Sequence, residues 1–238
     1  MKQVSICIIT CNNFLRTKYF VQNLLFKTSH KYKLHILDNN SSSTELKKYI
    51  NEVTIDTGGV FINSQQDLSI SECYNKLLNT VENKFCVFVP ITALVTKNWL
   101  IGLVTSFKEV PNSGIVGIRS GLMSNVIFTP QLHETNNASK LLNVMTECTE
   151  WISGIAFFET EHVKKHDFIE EDMVEGYEIE YMCYKLKLEG KISYYVRNQF
   201  AFNQKIESEK ILPNKSLEKQ KLLYEKLDKM IKNNYKQK

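Results

Sequence analysis

Short apolar runs alternate with amphipathic stretches along the first 120 residues of the chain. The runs are nearly continuous and rich in β-branched and aromatic residues, which predicts strands buried on both faces of a sheet. These predicted strands lie at 4–9, 34–37, 60–62 and 85–89. Helical spacing of apolar residues predicts the helices between them, at 14–29, 46–53 and 69–81. This alternation favours an α/β fold with a mainly parallel central sheet flanked by helices.

The second half of the chain is less regular. Further strands are predicted at 114–118, 126–128, 155–158 and 192–196. Residues 176–188 have helical periodicity, whereas the polar stretch 133–139 indicates a mobile loop. There is no internal repeat and no linker before Pro213. We therefore interpret residues 1–213 as one domain and residues 214–238 as a C-terminal segment.

The composition is that of a soluble globular protein. Of 238 residues, 43% are hydrophobic and 24% are charged, while nine glycines and four prolines are too few for a collagen-like or low-complexity chain. No apolar run approaches the roughly 18 residues of a membrane-spanning helix, and no signal-peptide pattern precedes the first strand. Six cysteines show no paired spacing. We therefore expect reduced, structural thiols and a cytoplasmic protein.

The net charge of +4 is unevenly distributed along the chain. Residues 214–238 hold eight lysines against three acidic residues, a balance of +5, which leaves −1 for residues 1–213. Apolar residues in the C-terminal segment recur at helical spacing and predict a basic amphipathic helix. Such a helix can rest on an anionic membrane, pack on its own domain or contact a second subunit. The rest of the chain gives no indication of nucleic-acid binding.

Ligands of parallel sheets bind at the carboxyl ends of the strands. This rule draws attention to the loops that follow the predicted strands, at 10–13, 38–43 and 90–93. The segments around these loops resemble the family 2 glycosyltransferases, which have the GT-A fold. The resemblance covers residues 3–204 and is carried by the segments 4–13, 37–42, 63–76, 85–100, 151–158 and 167–195.

The resemblance implies a nucleotide-sugar site at the carboxyl ends of the strands. Its expected residues are Thr10, Asn12, Asp38, Asn40, Asn75 and Thr92. An ionised Asp38 side chain could accept the N3 proton of uracil, or an equivalent proton of another base. The alternative is that Asp38 and Asn40 only cap the following helix.

The chain departs from the family pattern at the expected metal site. The family carries an Asp-x-Asp triplet that holds Mg²⁺ or Mn²⁺, whereas residues 90–92 here are Pro-Ile-Thr, and residues 202–204 lack the later His ligand. Hard divalent cations need anionic or carbonyl oxygens. We therefore expect no metal and no other cofactor. The diphosphate charge would be offset by a helix N-terminus or by one of the candidates Lys76, Lys97, Arg119, Lys185 and Arg197.

The helix at 176–188 carries the expected general base. Residues 177–181 resemble the family's Asp-x-Glu-aromatic variant, which implies that Glu178 deprotonates the acceptor hydroxyl. A register shifted by one residue puts Ile179 at that position and removes the base. Glu178 and Glu180 lie about 200° apart on a helix, so at most one is expected to face the site. Both could instead be solvated.

The resemblance also implies an acceptor site at Trp151 and Gly154, with the Trp151 ring either stacking on a sugar or filling the core. Together these features predict an inverting, metal-independent glycosyltransferase. It would move a sugar from a nucleotide donor to a glycan, lipid-linked or protein acceptor in cell-surface glycan or glycoconjugate synthesis. The alternative is a non-catalytic relative that binds nucleotide or acts as a partner subunit. Residues 214–238 would give peripheral membrane contact or oligomerisation.

Overall fold

The computed structural model describes residues 3–122, 125–128, 146–149, 152, 154–166, 176–203, 222 and 225. The strands in these ranges are β1 (Val4–Thr10), β2 (Tyr32–Asn39), β3 (Val60–Ser64), β4 (Phe85–Phe88), β5 (Ala93–Val95), β6 (Ser113–Leu122), β7 (Asn125–Phe128), β8 (Thr146–Thr149), β9 (Ala156–Glu159) and β10 (Ile192–Asn203). The helices are α1 (Phe14–Lys27), α2 (Thr44–Asp56), α3 (Ile70–Thr80), α4 (Trp99–Glu109), α5 (Thr160–Lys164) and α6 (Glu178–Leu188). Every element that periodicity predicts before residue 90 is present.

In the described ranges, ten strands form one sheet in the order β3-β2-β1-β4-β9-β6-β10-β5, with β7 beside β6 and β8 beside β10. β1 is parallel to both β2 and β4, and β6 is parallel to β10. β9 runs antiparallel between β4 and β6. The predicted mainly parallel sheet is therefore confirmed. The carboxyl ends of β1, β2, β3 and β4 meet along one edge of the sheet, which we call the carboxyl edge.

Helices cover both faces of the sheet and divide the core into two clusters. One cluster joins the sheet to α1, α2 and α4, and the other joins it to α3, α5 and α6. Trp99 of α4 and Met182 of α6 are fully buried representatives of the two clusters. Two helical layers on one sheet are the expected solution for strands that are apolar on both faces. Among the helices of the described ranges, none combines the length and hydrophobicity that a membrane span requires.

Polar residues that follow the strands start the next helices. The side chains of Asn13, Ser43 and Ser69 accept hydrogen bonds from backbone N–H groups in the first turns of α1, α2 and α3. Ser69 also forms a reciprocal capping box with Glu72. Because each cap satisfies N–H groups that the helix itself leaves unpaired, the chain can turn from strand to helix within a short loop.

The region after β4 differs most from its prediction. The chain returns to the sheet at Ala93 as β5, which pairs antiparallel with the end of β10. β5 has only three residues, which is too short to produce a periodic pattern in the sequence. Its partner β10 extends well beyond the predicted end at residue 196. The polar loop at 133–139 lies outside the described residues. So does the predicted C-terminal helix, apart from Leu222 and Glu225, which are helical and exposed.

Candidate functional site

Two loops at the carboxyl edge bring four of the predicted site residues together. Thr10 is the last residue of β1 and lies beside Asp38 of β2 in the parallel register. The exposed fraction is 1% for Thr10 and 0% for Asp38. Thr10 Oγ1 lies 2.6 Å from Thr17 Oγ1, a hydrogen bond that ties the end of β1 to α1. These loops, 10–13 and 38–43, also contain Asn12 and Asn40, and we call them together the polar rim.

Asp38 shapes the β2–α2 loop and does not cap α2. Its Oδ2 accepts the backbone N–H of Ser41 at 3.3 Å, and its Oδ1 accepts the Ser41 hydroxyl. The cap of α2 is Ser43, whose Oγ accepts the N–H of Leu46 at 3.1 Å. The alternative that Asp38 and Asn40 merely cap this helix is therefore wrong.

Asn12 joins the two loops of the polar rim. Its backbone N–H donates to Ser41 Oγ at 2.7 Å, and its Oδ1 accepts the N–H of Ser42 at 2.9 Å. Asn12 and Asn40 have φ angles of 50° and 57°. Asparagine tolerates this left-handed region better than most residues with a side chain, which explains its use at both positions.

Residues 65–69 pack against the polar rim, a contact that the sequence did not predict. Asn39 makes two hydrogen bonds with the backbone of Leu68, donating from Nδ2 at 3.0 Å and accepting at Oδ1 at 2.9 Å. The Asn40 amide donates to Asp67 Oδ1 at 3.3 Å. Because these bonds join residues almost thirty positions apart, no local pattern reveals them.

The loop after β4 does not fit a divalent cation. The Ala93 N–H donates to the Pro90 carbonyl at 2.9 Å and closes a tight turn, and Ile91 is buried in the core. Thr92, also buried, supplies one hydroxyl. Mg²⁺ and Mn²⁺ require several anionic or carbonyl oxygens, which this set does not offer through its side chains. Within the described ranges, no group of three or more His, Cys, Asp and Glu side chains could hold a metal ion.

The first turn of α6 holds two buried carboxylates. α6 packs on the sheet and leads into β10 through the turn at 189–191, so its first turn lies toward the carboxyl end of β10. Glu178 and Glu180 are each 3% exposed, and the interpretation of both as solvated is wrong. Oε1 of Glu178 accepts the N–H of Gly176 at 3.0 Å. A helix N-terminus favours such negative charge.

Tyr74 of α3 packs on β4 within electrostatic range of these carboxylates, and no sequence signal pointed to it. Its ring stacks on Phe88, the last residue of β4, with centroids 4.4 Å apart and planes inclined by 24°. Burial raises the pKa of the Tyr74 phenol, and the charges of Glu178 and Glu180 raise it further. The phenol therefore stays protonated within the field of both carboxylates.

Asn75 lies apart from the polar rim. It lines a shallow cavity of about 440 Å³ between α3 and α5, beside Lys164, Lys165 and His166. α5 follows β9, whose last residue pairs with the first residue of β4. The cavity is therefore displaced toward the edge of the sheet opposite the carboxyl edge.

Gly154 lies at the carboxyl edge. It precedes β9, in which Ala156 pairs with Phe88 at the end of β4. Gly154 is exposed and has a φ of 96°, a conformation that side-chain-bearing residues rarely adopt. Apart from its two chain neighbours, no atom of the described residues lies within 4 Å of the position that a Cβ would take. Trp151 lies outside the described residues.

Several solved structures share this fold. GalNAc-T7 with UDP, GalNAc and Mn²⁺ superposes with a TM-score of 0.70 and 12% identity, over 90% of this chain and 45% of that protein. For S. aureus TarS 1-349 with UDP-GlcNAc the values are 0.66 and 17%, over 88% and 60%. For the mannosyltransferase PcManGT from Pyrobaculum calidifontis, with GDP-Man and Mn²⁺, they are 0.65 and 13%, over 85% and 56%. No family model and no curated protein matches the sequence.

These neighbours are glycosyltransferases of the GT-A class, and this chain has the GT-A fold. The expected fold class is therefore confirmed. At 12–17% identity the likeness concerns the fold alone. The chain spans about half the length of the solved structures it matches.

Proposed function

We propose that this protein is a glycosyltransferase that moves a sugar from a nucleotide-sugar donor to a hydroxyl group of a glycan, lipid-linked or protein acceptor. The observation that carries the proposal is the buried Asp38 carboxylate at the carboxyl edge of a GT-A sheet. A carboxylate at this edge suits the N–H donor of a nucleobase. The solved neighbours that hold UDP, GDP-Man or UDP-GlcNAc support a nucleoside diphosphate sugar as the donor.

In this proposal Thr10, Asn12, Asp38 and Asn40 bind the nucleoside. Ser41 uses one lone pair on each carboxylate oxygen of Asp38, and each oxygen has a second one for the base. Because Asp38 has no exposed surface, the polar rim has to shift slightly to let the base reach it.

Two further contacts with the donor are proposed. Thr92, in the loop after β4, would contact the donor sugar or diphosphate. Asn75 would contact the donor from α3, although its place in the cavity between α3 and α5 does not support this role. On the acceptor side, the proposed residues are Gly154 and Trp151.

Glu178 is the proposed general base. Its carboxylate would take the proton of the acceptor hydroxyl while the hydroxyl oxygen attacks the anomeric carbon and the nucleoside diphosphate leaves from the opposite side. A single displacement of this kind inverts the anomeric configuration. The first turn of α6 suits the task, because it keeps Glu178 out of bulk water and its dipole favours the ionised carboxylate.

We propose that transfer proceeds without a divalent metal, since residues 90–92 do not offer a suitable ligand set. The charge of the donor diphosphate then needs another counterpart. α1 begins at the polar rim, and the backbone N–H groups of a helix N-terminus favour anions. Residues 1–213 would form the transferase domain of a cytoplasmic enzyme.

Turnover of a panel of UDP-, GDP- and other nucleotide sugars, measured in Mn²⁺ and in EDTA, tests this proposal. We expect hydrolysis or transfer with at least one donor at the same rate in both solutions. Activity that EDTA removes would overturn metal independence and leave the transferase proposal standing. No turnover, together with no nucleotide binding by calorimetry, would overturn the proposal as a whole.

A second candidate is a non-catalytic relative that binds nucleotide or acts as a partner subunit. Ile179, the alternative position for the base, is 5% exposed and packs in the core with Met182 and Leu186. In that register no carboxylate occupies the base position. A nucleotide-binding relative predicts binding without turnover in the same two assays, and a partner subunit that keeps only the scaffold predicts neither.

A further inference from the structure

The outer face of α1 carries an exposed apolar stripe. Leu15, Tyr19 and Phe26 follow one another at intervals of four and seven residues, so they lie along one line of the helix. Their exposed fractions are 76%, 56% and 84%. The opposite face of α1, which includes Phe20 and Leu24, is buried against the sheet. A surface helix that is apolar on both faces has more apolar surface than the fold of this domain requires.

Basic side chains flank this stripe on both sides. At about 100° per residue, Arg16 and Lys27 lie on one side of the line and Lys18 lies on the other. Lys18 Nζ is 5.4 Å from the ring centroid of Phe14, and Lys27 Nζ is 5.1 Å from that of Phe26. The ammonium groups are therefore held beside the apolar residues at the surface of the helix.

The stripe lies in the most basic stretch of the domain. No acidic residue precedes Asp38, and residues 1–37 contain six lysines and arginines, a charge of +6. Since residues 1–213 sum to −1, residues 38–213 carry −7. Three of these six cations, Arg16, Lys18 and Lys27, lie on α1, which contains no acidic residue.

We propose that the outer face of α1 is a contact surface for an anionic lipid membrane. Apolar side chains between cations suit the boundary of headgroups and acyl chains, where lysine and arginine meet lipid phosphates. Charge argues against two other occupants, because a second copy would bring the three cations of its own α1 against these three, and residues 214–238 carry +5 themselves. α1 is already folded and packed, so binding would not have to compensate for the cost of helix formation.

This contact would bring the polar rim close to the lipid surface. α1 begins at the rim, and Leu15 lies in its first turn. If the proposed transferase function holds, an acceptor carried by a lipid would reach the carboxyl edge from the same membrane. Lipid binding by α1 does not depend on that function, and its test does not measure transfer.

Flotation of the full-length chain with vesicles tests the proposal. The probes are phosphatidylcholine vesicles with about 30 mol % phosphatidylserine and vesicles of phosphatidylcholine alone. We expect binding to the anionic vesicles that weakens with added salt, and binding to the neutral vesicles that is lower by about tenfold or more. Lys18→Glu/Lys27→Glu should lose about 25-fold or more, because each lysine near an anionic surface contributes about fivefold and the glutamates are repelled.

A triple variant, Leu15→Ser/Tyr19→Ser/Phe26→Ser, should lose a similar factor. The matched control is Lys187→Glu/Leu188→Ser at the exposed end of α6, on the other face of the sheet, which should bind like the wild type. Circular dichroism melts check that each variant folds. If the triple variant does not fold, the Lys18→Glu/Lys27→Glu variant still tests the proposal. If the folded α1 variants bind vesicles as well as the wild type does, the proposal is overturned and binding is assigned to residues 214–238. Absence of wild-type binding would also overturn it, as would a dimer in light scattering that the triple variant abolishes.

Discussion

Asp38 and Ser41 are joined through both the backbone and the side chain of the serine. One carboxylate oxygen accepts the Ser41 N–H at 3.3 Å and the other accepts the hydroxyl, while Ser41 Oγ accepts the N–H of Asn12 at 2.7 Å. The buried charge of Asp38 is thereby coupled to both loops of the polar rim. Removal of either partner would leave buried polar groups without hydrogen bonds, so the shape of the rim depends on this pair.

Asp38→Ala is expected to weaken nucleotide binding by about tenfold or more, since a hydrogen bond to a charged group is worth at least that factor. Calorimetric titration with UDP and with GDP measures the change. Ser43→Ala is the matched control, because it removes the α2 cap and about 1 kcal/mol of stability without touching Asp38. Equal affinities for wild type and Asp38→Ala would mean that Asp38 only shapes the loop.

Glu178→Gln should reduce sugar transfer by roughly 10²–10⁴-fold, the range expected for loss of a general base. Donor affinity should stay the same, because the amide keeps the size of the side chain. Steady-state kinetics and donor titration separate the two effects. Glu180→Gln, at an equally buried carboxylate, is the control. Loss of activity only in Glu180→Gln would assign the base to Glu180, and full activity in both variants would move it elsewhere.

His35 makes the folded state sensitive to acid. Its ring lies between Ser5 Oγ at 3.1 Å and Thr80 Oγ1 at 2.9 Å inside the core. The pKa of His35 is lowered from 6.5 to about 4, mainly by burial and secondly by the charge of Lys33. Between pH 6.5 and pH 4, the His35 ring therefore binds a proton more tightly in the unfolded chain than in the folded one. The free energy of unfolding should therefore decrease as the pH falls from 6.5 to 4, by at most about 3 kcal/mol.

Urea unfolding at a series of pH values, followed by circular dichroism, measures this dependence. His35→Gln should remove the contribution of His35 to this pH dependence. The difference in the free energy of unfolding between wild type and variant should therefore change with pH below 6.5. A constant difference across this range would assign the acid sensitivity to carboxylates.

Gly59 allows the turn after α2 to pass directly against β2. A Cβ at this position would lie 1.8 Å from the carbonyl oxygen of Leu34, a backbone contact that no rotamer relieves. Gly59→Ala should therefore lower the free energy of unfolding by about 3 kcal/mol or more. Gly58→Ala is the neighbouring control. Gly58 has a φ of 63° and open space where a methyl group would lie, so the cost there should be about 1 kcal/mol. Similar losses in urea unfolding would contradict the close approach.

The strands and helices before residue 90 could be predicted because their apolar residues form continuous runs or helical stripes, most of which are buried; β3, at the edge of the sheet, is the exception and its run is half-buried. Asn13, Ser43 and Ser69 are recognisable in the same way, since a cap acts within its own first turn. β5 could not be predicted, because its three residues form a strand only where the end of β10 passes beside them.

The sequence by itself determined the order of strands and helices, the polar loops at the ends of β1 and β2, and the lack of acidic residues at 90–92. Only the tertiary structure decided which polar groups meet. The bonds between Asn39 and Leu68 and the grouping of Tyr74 with Glu178 depend on packing across separate elements. Helical spacing alone likewise places Glu178 and Glu180 on nearly opposite faces of α6. Both are buried because α6 is enclosed on more than one side, a property of its neighbours that periodicity does not contain.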